Sequence, residues 1–203
     1  MKKTSCYLLV IIINIAVISG MIFFLHCIPA CADETAPTSS RAIDEMSVIV
    51  GYGRESISEG AYEPVLLIAR LEHDLKGQLP FLAAQRGTLS LYLEPQINPV
   101  VSPEADWEIG IGLGLKYRYP LSNRIAISVM GSIGPHYVSV VSKDQANGFI
   151  FSDTIGGGLS WFLTEKAALS VEYRFRHLSN ASIRKPNGGI NNHIGTVGYT
   201  LFF

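Results

Sequence analysis

The chain has 203 residues and a formal net charge of −1, with 16 Lys plus Arg against 17 Asp plus Glu. Balanced charge without a basic run argues against a nucleic-acid partner. The three cysteines, Cys6, Cys27 and Cys31, all lie near the N-terminus, so the rest of the chain has neither a disulfide framework nor a cysteine metal site.

Lys2 and Lys3 precede an apolar run from Tyr7 to Ile28, and Ala30-Cys31-Ala32 is followed by Asp33 and Glu34. A positive start, an apolar middle and an A-x-A end read as a secretory signal peptide over 1–32, cleaved after Ala32. The apolar run is near the length that spans a bilayer, which makes an uncleaved anchor the alternative. A lipoprotein signal ending at Cys31 fits less well, because Pro29 is an awkward neighbour. Residues 33–43, with Pro37, Ser39 and Ser40, are expected to be a disordered segment leading into a single domain over 44–203. No second apolar run is long enough for a membrane helix, so residence in a membrane requires a β-barrel.

Short alternating segments with turn signals between them then recur to the end of the chain, the mark of an all-β fold. Strands are expected at 46–53, 62–71, 87–98, 107–119, 124–134, 149–163, 167–179 and 191–203. The second is apolar on both faces near its middle, which leaves its orientation open. Residues 72–86 read as a long turn or a turn carrying a short helix. The fourth strand is the clearest: Trp107, Ile109, Ile111, Leu113, Leu115, Tyr117 and Tyr119 share one face, and Glu108, Gly110, Gly112, Gly114, Lys116 and Arg118 the other. An aliphatic stripe with aromatics at both ends matches a lipid-facing strand between two interfacial girdles. A soluble barrel or sandwich with this face as its core is the alternative, but such a core seldom ends in aromatics at both rims. On the seventh strand Ser170, Glu172, Arg174 and Arg176 point inward, where their charges are expected to satisfy one another.

These elements predict an eight-stranded antiparallel transmembrane β-barrel, closed so that no backbone edge meets lipid. Turns at 120–123 and 164–166 would face the periplasm, and loops at 99–106, 135–148 and 180–190 the outside. The connection at 72–86 is too long for this scheme.

The hairpin from Tyr173 to Phe203 carries the chemistry. Leu169, Val171, Tyr173 and Phe175 line one face, and His177 and Ser179 continue it; Asn191 and His193 continue the apolar face of the returning strand. Histidine can take a serine proton as the hydroxyl attacks a carbonyl and return it to the leaving oxygen. An oxyanion would need donors, and Asn180 and the turn from Ala181-Ser182 can offer N–H groups. H-x-S by itself is a common chance pair. On a lipid-facing stripe it gains weight, because polar groups facing acyl chains are costly. The competing reading places both residues in the headgroup zone without a chemical role.

The run H-L-S-N-A-S-I-R-K-P-N-G-G-I-N, residues 177–191, resembles the signature of the PagL family of lipid A 3-O-deacylases. The resemblance is strongest from Glu172 to Asn191 and extends loosely over most of the mature chain. It implies an outer-membrane enzyme acting on lipid A of lipopolysaccharide, without metal or cofactor, with Ser179 as nucleophile and His177 as general base. By the same resemblance Asn180 and the N–H of Ser182, where the family usually has glycine, are oxyanion donors, and Asn187 supports the site. The family's acidic triad member falls at Asn191, which can accept the imidazole N–H but carries no charge. His193 has no matching role. The rival reading is a non-enzymatic structural or adhesive outer-membrane barrel, and the sequence leaves open whether barrels pair as a homodimer.

Overall fold

The computed structural model describes residues 42–79 and 86–203. The signal expected at 1–32, nearly all of segment 33–43 and part of the 72–86 connection lie outside the described residues. Eight strands run as β1 (Glu45–Ile57), β2 (Gly60–Asp74), β3 (Thr88–Ser102), β4 (Asp106–Pro120), β5 (Ile125–Val138), β6 (Gly148–Thr164), β7 (Ala167–Ser179) and β8 (Ile190–Phe202). Each pairs antiparallel with its sequence neighbour, and β8 returns to β1, closing the barrel. Closure satisfies the backbone of every strand without an exposed edge. A 3-10 turn, Leu75–Gly77, follows β2, capped by the Asp74 side chain, which accepts from the Lys76 N–H at 2.8 Å.

The first six strands are longer than their apolar patterns suggest, while β7 keeps its expected bounds and β8 its expected length. β1 and β2 meet at a two-residue turn, Ser58 and Glu59, and β3 and β4 are joined by residues 103–105 alone, so the loop expected at 99–106 is mostly strand. The loop expected at 135–148 begins after Val138. Polar residues near the rim continue pairing where the apolar signal has ended, and this is where pattern reading stops short. Loops 139–147 and 180–189 share one end of the barrel with those two short connections; residues 75–79, 86–87, 121–124 and 165–166 lie at the other.

Alternation sorts the side chains. Val48, Val50, Ile109, Val129, Leu159, Val171, Val197 and Leu201 stand on the outside, more than two-fifths exposed. Trp107, Tyr137 and Phe149 gather at the site end of this belt, with the Trp107 and Tyr137 rings stacked at 5.4 Å, and Trp161 and Phe203 lie at the other end. The open orientation of β2 resolves with Tyr62, Leu66, Ile68 and Arg70 inside.

The interior is layered. Arg70, Lys116 and Arg174 interlock with Glu72, Glu94 and Glu172: Arg70 reaches Glu94 at 2.5 Å and Glu172 at 2.8 Å, Arg174 reaches Glu94 at 3.0 Å and Glu172 at 2.6 Å, and Lys116 reaches Glu72 at 2.8 Å. The charges of β7 are therefore satisfied mainly across the barrel rather than along their own strand. Ile49, Leu66, Ile68 and Ile194 form an apolar layer, and Tyr62, Val100, Val138, Val140, Ile150, Leu178 and Ile190 form another toward the site end. The narrow interior thus takes large apolar residues as well as the small and charged ones expected.

A buried charge network contributes little net stability when intact but is costly to break, since the orphaned ion stays desolvated. Glu172→Gln leaves Arg70 and Arg174 one carboxylate short and should cost about 3–5 kcal/mol. Urea unfolding of detergent-refolded protein measures it; an unchanged midpoint contradicts this reading of the interior.

Candidate active site

The site grows from the β7–β8 hairpin. On the inner face Arg176 donates to Glu108 at 2.7 and 2.9 Å and to the Asn192 side-chain oxygen at 2.9 Å, and Tyr62 donates to the Glu108 carboxylate. Leu178 and Ile190 are buried beside them. Arg176 pairs with Asn192 and Leu178 with Ile190 across the ladder, so interior packing fixes the register. Strand alternation then turns His177, Ser179 and Asn191 outward, where they are partly or fully exposed.

His177 and Asn191 are direct cross-strand partners, and His177 Nδ1 lies 2.6 Å from Asn191 Oδ1. An amide oxygen only accepts, so this bond places the proton on Nδ1 and leaves Nε2 with a lone pair. Ser179 follows His177 on the same face. Gly189, left-handed at φ +78°, closes the ring in: a Cβ there would stand 2.5 Å from His177 Cε1 and 3.2 Å from Nε2. The nitrogen left free thus lies on the edge that Gly189 keeps open.

The turn after Ser179 is tightly braced. Ala181 and Ser182 are both left-handed, at φ 51° and 67°, and Ile183 N–H donates to the Asn180 carbonyl at 3.0 Å. Two successive residues at positive φ define a tight turn in which non-glycine residues are uncommon. Asn187 holds it: its carbonyl oxygen accepts the Asn180 N–H at 2.9 Å and its NH₂ donates to Ser182 Oγ at 3.3 Å. The Asn180 side chain is almost fully buried and donates to the Arg184 carbonyl at 2.9 Å. The same alternation that exposes Ser179 turns Asn180 inward, so this side chain braces the loop rather than standing open beside Ser179. Loop 139–147 backs the arrangement, with Ala146 N–H on the Pro186 carbonyl at 2.8 Å and Gly188 N–H on the Asp144 carbonyl at 2.5 Å. The Asp144 carboxylate takes Ser58 N–H and Oγ–H at 2.6 and 2.9 Å, which ties in the β1–β2 turn.

Two neighbours escaped the sequence reading. Gly189 read as a loop residue, although G-G before a strand signals an unusual backbone. Asp153 of β6 is the partner of His177 on the other side, and Phe151 is the partner of Ser179. One row further along the strands, His193 Nδ1 lies 2.6 Å from Tyr173 Oη and its ring meets Phe175 edge-on at 5.4 Å. A depression of about 320 Å³, lined in part by Ser56, Asp144, Gly189 and Asn191, lies on the β1 side of the site. Among the described residues no group of His, Cys, Asp and Glu could hold a metal ion.

A closed eight-stranded barrel with an apolar belt is an outer-membrane β-barrel, and here Ser179, His177 and Asn191 share its outward face. The family model described as lipid A 3-O-deacylase (PagL) matches residues 67–200, and the chain belongs to this family. Among solved structures, the outer membrane enzyme PagL is similar at TM-score 0.58 and 20% identity, covering 78% of this chain and 99% of that one. Neisserial surface protein A is similar at TM-score 0.57 and 10% identity, over 78% of this chain and 96% of that one. Identities this low speak to the barrel fold alone. No curated protein sequence matches the chain.

Proposed function

We propose that this protein is a lipid A deacylase of the outer leaflet, removing the ester-linked 3-hydroxyacyl chain at the 3 position through an acyl-serine intermediate on Ser179. The observation that carries the reading is the 2.6 Å bond between His177 Nδ1 and Asn191 Oδ1 on the lipid-facing side, with Ser179 next on the same stripe. That bond sets the tautomer a general base needs. Ser179 Oγ attacks the ester carbonyl while Nε2 takes its proton; the imidazolium returns the proton to the departing sugar oxygen, and water then releases the acyl chain by the same route. The main-chain N–H of Ser182 is assigned as an oxyanion donor, while the Asn180 amide, turned inward onto the Arg184 carbonyl, holds the turn that presents it. Asn187 acts by holding the turn. No step of this acyl transfer calls for a metal or cofactor.

Membrane geometry supports the substrate class. A shallow apolar depression of about 460 Å³, lined in part by Ile127, Leu159, Val171 and Tyr173, lies down the same outward face and suits an acyl chain. The site is assembled from one chain, so the pairing of barrels considered from the sequence finds no support. Lipid A from cells with and without the protein, compared by mass spectrometry, tests the reading. Loss of one hydroxyacyl group is expected; identical lipid A in both would leave a structural barrel.

Asn191 sets a further expectation. Asn191→Glu adds charge beside the imidazolium and should raise turnover about tenfold, equivalent to about 1.4 kcal/mol of transition-state stabilisation. Asn191→Ala removes the acceptor for Nδ1–H and should lower it. Initial rates of hydroxy fatty acid release read both; if neither substitution alters the rate, residue 191 does not orient the histidine.

A further inference from the structure

Resting on the deacylase reading, we propose that Asp153 is the acidic positioning residue of this site, supplying from β6 the negative charge that Asn191 cannot. The register gives His177 two direct cross-strand neighbours on the outward face, Asn191 on β8 and Asp153 on β6. Directly opposed side chains of an antiparallel pair have Cβ atoms about 4.5–5.5 Å apart, within strong electrostatic reach.

The position of Asp153 also asks for a reason. Its partner on the far side is Ile133, and along its own strand Phe151 precedes and Ile155 follows it on the same face. A carboxylate set among apolar residues on a lipid-facing surface is costly unless a nearby cation or a function retains it. In the reaction a cation forms on His177, directly across the ladder from Asp153, as Ser179 gives up its proton. The labour is divided: Asn191 accepts the hydrogen bond from Nδ1–H and fixes the ring, and Asp153 stabilises the positive charge across the other edge. The Nδ1 proton stays on the imidazole throughout, and no proton is passed to Asp153.

A bulge builds this juxtaposition. Thr164 pairs with Ala167 across the two-residue turn, but Phe162 pairs with Ala168, so β6 carries one extra residue at Leu163. Without it the ladder would set Asp153 against Leu178 and turn its carboxylate into the barrel. One inserted residue turns a whole strand segment over to the opposite face.

The test uses full-length protein in detergent with lipid A, comparing wild type, Ser179→Ala, Asp153→Asn, Asp153→Glu and the double variant Asp153→Asn/Asn191→Glu. Asp153→Asn should lower kcat about 30-fold with KM nearly unchanged, because the charge acts on the imidazolium of the transition state and not on bound substrate. Asp153→Glu should retain most activity, and Asn191→Glu should restore Asp153→Asn to within about threefold of wild type, the charge being supplied from the other side. The loss should be equal on esters with and without a 3-hydroxyl. Undiminished kcat in Asp153→Asn overturns the proposal; so does a loss confined to KM or to hydroxylated esters, which would make Asp153 a substrate ligand. If wild type releases no more acyl chain than Ser179→Ala, the deacylase reading itself falls, and the role of Asp153 with it.

Discussion

Ser179→Ala should reduce acyl release from lipid A to background, a loss on the order of 10⁶-fold by analogy with removal of a serine nucleophile from a catalytic triad. The barrel should be untouched, because Ser179 is on the outer face and the packing beneath it belongs to Leu178, Ile190 and the Arg176–Glu108 pair. The heat-dependent shift in gel mobility typical of folded barrels separates a lost nucleophile from a lost fold. Undiminished ester release from a folded Ser179→Ala barrel would rule out the acyl-serine route.

Gly189→Ala should also be nearly inactive, with kcat down by about 10²–10³-fold, although it adds only one methyl group. The added Cβ would stand 2.5 Å from His177 Cε1, so the ring must turn away and lose its geometry against Ser179. The positive φ of 78° adds strain that any L-residue would feel. Gly195→Ala on β8 is the control, since nothing lies within 4 Å of a Cβ there. Equal activity of the two variants in matched assays would mean that the ring tolerates displacement and that Gly189 serves only the loop.

Much of the barrel was legible because a membrane β-protein writes its lipid face in alternation. The Trp107–Tyr119 stripe set the facing of β4, and the structure keeps it. The β7–β8 pairing was also readable: with His177 and Asn191 on outward stripes of one hairpin, their meeting follows from a single turn. Strand ends were less legible. Residues 54–57 and 99–102 pair as strand while carrying Arg, Glu, Ser and Pro, since backbone hydrogen bonds continue past the apolar zone. The facing of Asn180 followed from parity once Ser179 was placed outward, but its reach back to Arg184 depends on two left-handed residues that no periodicity announces. Asp153 was hidden more deeply. Counting back from the 165–166 turn puts it against Leu178, and the bulge at Leu163 corrects that by one residue. Long-range pairing, not composition, assembles this side of the site.

The most direct measurement is tandem mass spectrometry of purified lipid A after incubation with the purified barrel, beside the same incubation with Ser179→Ala. The expected result is loss of a single 3-hydroxyacyl chain, located by fragmentation at the 3 position, with the free hydroxy fatty acid recovered in equal amount and neither product formed by the variant. Intact lipid A with the wild-type protein, or the same product from both proteins, would contradict a lipid A deacylase built on Ser179.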